Sequence, residues 1–236
     1  MHELTLAEGE GFGELRARGY RLRFTQWMRM NAERAWAQCV RHRFMREMTE
    51  GTLSEWAFKR YLVQEYAFVQ ACSGVLGYAI AKAPGVPQRH RFAGMALDLT
   101  GVQTRYFQRV LKRYGLSPDA VTSESVSGTP RAFAEWMLQN GAHSSYVEIL
   151  AALIGAEWMY YTWCQVGAKR LPAKPAYAYW IRLHAGGAFK KNVFWMLKQL
   201  DQLGPVHPEE VQQRLARIFR EVLEWEIAFH DAVYIE

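Results

Sequence analysis

The chain has 236 residues, 50% of them apolar and 14% aromatic, which is enough material for one continuous core. Its formal charge of +6 is spread over helix surfaces, as in Arg16, Arg18, Arg21, Arg23 and Arg29, with no basic stripe interleaved by aromatics, so nucleic-acid binding is not expected. Cys39, Cys72 and Cys164 are odd in number and lack CxxC spacing, which argues against a disulfide framework or a cysteine zinc site and fits a reducing, cytoplasmic compartment.

The opening MHELTLAEGEGFGELR has no basic stretch leading into an apolar one, so no secretory signal is read there. Residues 1–18 are taken as an extension of a single all-α domain spanning 1–236. Apolar residues then recur at three- and four-residue spacing almost throughout, while period-two alternation is scarce. Gly and Pro clusters punctuate the pattern and predict helices at about 19–49, 54–82, 88–114, 130–140, 144–166, 176–184, 187–203 and 208–232. Thr52-Leu53-Ser54-Glu55 reads as a capping box, and Thr129 before Pro130 reads as an N-cap followed by proline at the first helical position. Gly115 and Gly204 stand where a left-handed residue would end a helix. The segment Tyr146–Cys164 is long enough to cross a bilayer, but it carries Glu148 and Glu157. A carboxylate at mid-membrane costs about 2.5–3.5 kcal/mol, so a buried core helix is the better reading and no membrane partner is expected.

In a helical bundle, sites are built from side chains that point inward from facing helices. The informative residues are therefore carboxylates and histidines inside apolar stretches, where an unpaired charge is costly. Glu65 sits among Tyr61, Leu62, Tyr66 and Phe68, and Glu157 shares a helix face with Tyr160 and Tyr161. Glu226 precedes His230 by one turn, and His184 stands before the flexible Ala185-Gly186-Gly187. Each also has a plainer reading. Glu226 and His230 form an ordinary surface i,i+4 pair, Glu65 an inter-helix salt bridge, His184 a dipole-favoured helix end, and Glu157 an oligomer contact. No Glu-x-x-His pair supports a di-metal bundle site, no GxSxG elbow supports a hydrolase triad, and no glycine loop is built to cradle phosphate. No cofactor or metal is therefore assigned.

A run of short motifs resembles the TenA/thiaminase II family, whose fold is a heme-oxygenase-like multi-helix bundle with an internal pocket. The markers are His42-Arg43-Phe44-Met45, Gly51-Thr52-Leu53, Phe58-x-x-Tyr61-Leu62-x-Gln64-Glu65-Tyr66, Ala81-Lys82-Ala83-Pro84, Glu148 to Leu153, Glu157-Trp158-Met159-Tyr160, Trp180-Ile181 and Trp225-Glu226-x-x-Phe229. Each is weak alone, while their order from about Arg41 to Tyr234 is specific. The resemblance implies hydrolysis of an aminopyrimidine in thiamin salvage, with displacement of an amine at the pyrimidine methylene carbon. It places Ala156 where the family carries its nucleophilic cysteine, Glu65 at the acidic residue that contacts the ring, and Glu226 at the late glutamate. It also places Tyr160, Phe68, Phe133 and His184 at aromatic substrate-lining positions.

A cysteine-less branch of that family makes Glu157, beside Ala156, a candidate general acid or base. The resulting expectation is a C–N hydrolase of a small heteroaromatic substrate with Glu226, Glu65 and Glu157 as its working carboxylates. Two other readings stay open: a pyrimidine-like binding protein without turnover, and a PqqC-like or metal-dependent oxidase of the same fold, motivated by His184, Glu226 and His230. The resemblance further implies a homo-oligomer, a dimer or a tetramer.

Overall fold

The first helices form where bulky apolar residues need a common interior. The computed structural model describes residues 10–122 and 125–235, and every regular element among them is helical. In chain order they are α1 (Phe12–Ala17), α2 (Phe24–Asn31), α3 (Glu33–Val40), α4 (Arg43–Glu50), α5 (Glu55–Lys82), α6 (Val86–Asp98), α7 (Thr104–Arg113), α8 (Thr129–His143), α9 (Tyr146–Gly167), α10 (Pro175–Ala185), α11 (Gly187–Leu203) and α12 (Glu209–Asp231). Helix α1 falls within the stretch read as an extension, yet Phe12 and Leu15 are buried and Phe12 packs edge-on against Phe24. Residues 1–9 lie outside the described residues.

The expected helix over 19–49 is three short ones, α2 to α4. Backbone–side-chain competition explains one break: His42 leaves the helical conformation and its Nδ1 accepts from the Phe44 amide at 3.1 Å, starting α4 afresh. The corners let Trp27, Trp36 and Phe44 all turn inward. The expected helix over 88–114 is likewise interrupted, by a π-helical turn at Leu99–Gln103 that joins α6 to α7. Two threonine hydroxyls, one within that turn and one just after it, bond back to carbonyls, Thr100 to Ala96 at 2.7 Å and Thr104 to Leu99 at 2.9 Å.

Three caps differ in detail from expectation. The N-cap of α5 is Ser54, whose hydroxyl accepts from Ala57, while Thr52 closes the preceding helix by donating its amide to the Glu47 carbonyl. Helix α8 begins at Thr129 with Gly128 as its cap, one residue earlier than the sequence suggests. Gly204 is right-handed, and its small size serves packing instead: a Cβ there would stand 2.2 Å from the Phe24 ring. Gly115 is left-handed, with φ +74, as its position at the end of α7 requires.

Helix α9 runs through the centre and is buried over most of its length, packed against α5, α8, α10, α11 and α12. No helix of the described residues is long and apolar enough to cross a membrane. Gly155 lets α9 approach α12 closely, because a Cβ there would meet Val222 at 2.8 Å. That approach sets the spacing at which the next residues of α9 face the inner side of α12.

Candidate active site

Helices α5, α6, α8, α9, α10, α11 and α12, with the π turn, line a cavity of about 360 Å³. This is the size range of small-molecule sites. Glu65 from α5, Glu157 from α9 and Glu226 from α12 all line it. So do Phe68, Ala156, Tyr160 and His184, while the exposed side chains of Asp98 and Arg182 stand on its solvent side. Phe133 is the exception among the expected lining residues. It is fully buried one layer back, stacked on Phe68 with ring centres 4.6 Å apart, and on Trp225 at 5.8 Å. It supports the wall through Phe68 without forming it.

The carboxyls are not structural ion pairs. Glu65 and Glu226 are 6% and 2% exposed, and among the described residues Glu65 has only phenols within hydrogen-bonding reach, Tyr160 at 3.4 Å among them. Burial raises its pKa to about 8, with the Glu157 charge adding to the rise and the phenols opposing it. Burial likewise raises Glu157 to about 7, and among the described residues no hydrogen bond or ion pair holds it. Glu226 is pushed well above the carboxylate range, first by burial and then by the charges of Glu65 and Glu157. Three acids thus share one small volume, where burial first, and for Glu65 and Glu226 the neighbouring carboxylate charges second, favours their protonated forms.

Both site histidines are neutral. His184 is held near a pKa of about 4 and His230 near about 3, burial being the main cause in each. Each donates Nδ1–H to the carbonyl one turn earlier, His184 to Trp180 at 2.9 Å and His230 to Glu226 at 2.7 Å. Nε2 of His184 accepts from the Gln103 amide at 3.4 Å, and Nε2 of His230 faces the Tyr160 hydroxyl at 3.2 Å. The surface-pair reading of Glu226 and His230 is therefore corrected, since both are buried with Nδ1 and Oε2 3.6 Å apart. Among the described residues no group of three or more His, Cys, Asp or Glu is placed to hold a metal ion. His42 engages both ring nitrogens, one with Phe44 and the other with Asp231 at 3.0 Å.

Sequence reasoning missed Cys72 and Gln103 on the cavity wall. Cys72 was accessible to it: Glu65, Phe68, Val69, Cys72 and Leu76 follow the i, i+3, i+4, i+7, i+11 stripe of one helix face. Burial and the three carboxylates raise the Cys72 thiol pKa, so it is a neutral neighbour and not a thiolate. Gln103 carried no signal, because its direction depends on the π turn.

An all-α bundle of this arrangement, with an acid-lined internal cavity, is the heme-oxygenase-like fold. Heme oxygenase 2 of Chlamydomonas reinhardtii superposes with a TM-score of 0.63 at 16% identity, covering 89% of this chain and 97% of that one. A TenA homologue from Pyrococcus furiosus matches more closely, with a TM-score of 0.81 at 24% identity over 89% of this chain and all of that one (100%). The family model described as TENA/THI-4/PQQC matches residues 29–236, and the chain belongs to that family. Among its relatives, the aminopyrimidine aminohydrolase of Helicobacter pylori is 22% identical over 216 residues, covering 90% of this chain and 99% of that protein. The Bacillus subtilis protein of the same name is 25% identical over 201 residues, 84% of each.

Proposed function

We propose that the protein hydrolyses a C–N bond of an aminopyrimidine or a related heteroaromatic, of the thiamin-salvage type, with carboxylates doing the work of the absent cysteine. The observation that carries this reading is the meeting of Glu65, Glu157 and Glu226 in one largely apolar cavity, each with its pKa raised. The names of the Helicobacter pylori and Bacillus subtilis relatives support the substrate class.

In this reading the ring stacks against Phe68 and Tyr160, and Glu65 orients it by hydrogen bonding. Ala156 contributes no nucleophile, so water attacks the carbon that bears the amine. Glu157, whose pKa of about 7 leaves much of it ionised at neutral pH, takes the proton from that water. A carbon–oxygen bond forms as the carbon–nitrogen bond breaks. Glu226, whose pKa burial raises well above the carboxylate range, delivers its proton to the departing amine. His184, kept as a neutral acceptor, closes the wall beside Tyr160 with ring centres 5.4 Å apart.

The test is incubation with aminomethylpyrimidine and its formylamino derivative, followed by detection of the released amine. Turnover that collapses in Glu226→Gln supports the reading. Absence of turnover on both compounds overturns it. A ligand that binds tightly in calorimetry and is recovered unchanged assigns the cavity to a binding protein instead. The proposal extends to a cytoplasmic homo-oligomer, supported by the free cysteines and by exposed Trp56, Tyr78, Tyr179 and Phe194. Sedimentation equilibrium and cell fractionation test those two points.

A further inference from the structure

His230 lies outside the cavity, fully buried beneath Tyr160 and packed on Phe44 and Tyr61 with ring centres 4.8 and 6.0 Å away. Its role follows from counting protons. Its Nδ1 stands 2.7 Å from the Glu226 carbonyl, which can only accept, so the ring proton sits on Nδ1 and Nε2 is a bare lone pair. That lone pair is 3.2 Å from the Tyr160 hydroxyl, which must donate to it. The Tyr160 oxygen is then an acceptor toward its other two partners, Tyr61 and Glu65, each at 3.4 Å. Three contacts converge on one hydroxyl, and the two phenols together bring only two protons. Tyr61 lies within hydrogen-bonding reach of Glu65 as well, so with the Tyr160 proton committed to His230 at most one phenol proton is left to hold the Glu65 carboxyl ionised, and a proton on that carboxyl completes its contact with the Tyr160 oxygen.

We propose that His230 is a positioning residue: by drawing the Tyr160 hydroxyl proton to itself it keeps the Glu65 carboxyl protonated, with that proton directed at the Tyr160 oxygen. The carboxyl oxygen not engaged with Tyr160 is then an uncharged acceptor, which favours ligands that present a neutral N–H to Glu65. The inference deepens the hydrolase reading and rests on Glu65 facing the substrate there, but it describes the ligand-free protein.

The groups that face Glu65 agree with a protonated carboxyl. They are Tyr61 and Cys72 on α5, Tyr106 on α7, Glu157 and Tyr160 on α9, and Glu226 on α12, while His230 on α12 faces Tyr160. His184 on α10 faces Tyr160. None of them is a cation, because burial keeps both histidines neutral, and for His230 the nearby His42 adds to the effect. Without the imidazole acceptor the Tyr160 proton would turn to Glu65 and stabilise its carboxylate.

Infrared titration of the ligand-free protein reads this directly, with the Glu65 acid band assigned by its loss in Glu65→Gln. His230→Phe keeps an aromatic ring but removes the acceptor, and is expected to lower the Glu65 midpoint by about one pH unit or more, tenfold in acid dissociation. His230→Gln, whose amide reaches the position of Nε2, is expected to restore most of that change. In a Tyr160→Phe background the His230→Phe substitution is expected to have no effect on the midpoint. A folded His230→Phe protein with an unchanged midpoint overturns the proposal, as does a shift that persists without the Tyr160 hydroxyl. Should His230→Phe fail to fold, ¹⁵N chemical shifts of the unsubstituted protein decide the matter. An Nδ1–H tautomer supports the proposal, and an Nε2–H tautomer overturns it. None of these readouts needs turnover, so failure of the hydrolase assay and failure of this inference are separate results.

Discussion

Helix α9 carries two glutamates, Glu148 and Glu157, whose surroundings are opposite. Glu148 is 5% exposed, yet its carboxylate is fully engaged: it accepts from the Ser145 amide at 2.7 Å and the Ser145 hydroxyl at 2.6 Å, and pairs with Arg214 at 2.5 Å. It completes the capping box that starts the helix. Glu157 has no such partner and faces a cavity it shares with two more acids. The same residue type on the same helix is a structural device where its charge is answered and, in the proposed reaction, a chemical one where it is not. The proposed reaction thereby places stability and reactivity at different points along one element.

Four measurements break or sharpen this contrast. The largest effect is expected at the cavity: Glu226→Gln should lower turnover by about a hundredfold or more, the range for loss of a general acid, while leaving the melting temperature unchanged or raised. Gly155→Ala tests the geometry between the two regions. Its new Cβ meets Val222 at 2.8 Å, so it should cost about 1–3 kcal/mol in chemical denaturation and weaken turnover by parting α9 from α12. At the start of the helix, Glu148→Ala should cost about 1–2 kcal/mol through the lost cap and pair, with turnover per folded molecule unchanged. Comparable loss of turnover in Glu148→Ala and Glu226→Gln would erase the distinction.

The smallest effect is one of pH. Glu65 and Glu157 have folded-state pKa values of about 8 and about 7, above those of an unfolded glutamate. The native state therefore binds more protons than the unfolded chain between those values and the unfolded one. Stability from this source is fully present below the unfolded pKa and is lost as pH rises through about 7 to 8. The melting temperature should accordingly fall between pH 5 and pH 8, and Glu157→Gln should flatten the fall. A melting temperature that rises across that window would show these carboxyls to be ionised and stabilised in the folded protein.

Much of the architecture was legible in the residues. The periodicity over 54–82, 144–166, 187–203 and 208–232 reproduces α5, α9, α11 and α12 to within about two residues, because long amphipathic or apolar stretches bounded by Gly, Pro and Ser have few other ways to bury themselves. The breaks within 19–49 and 88–114 were not legible. They are made by His42, Thr100 and Thr104 bonding to nearby backbone groups, a choice the hydrophobic pattern does not encode. The surprising acids were visible as singletons in apolar surroundings, and Cys72 lay on the same stripe as Glu65.

Sequence alone determined the helical class, the family resemblance, and the presence of Glu65, Glu157 and Glu226 at positions where burial would be costly. Tertiary structure decided that the three meet in one cavity, that Phe133 stands a layer behind Phe68, and that His230 reaches Tyr160. The physical reason is separation along the chain. A pKa or a hydrogen-bond direction depends on charges and lone pairs within a few ångströms, and here those come from helices far apart in sequence. Propensity and periodicity act over one or two turns and do not specify such neighbours.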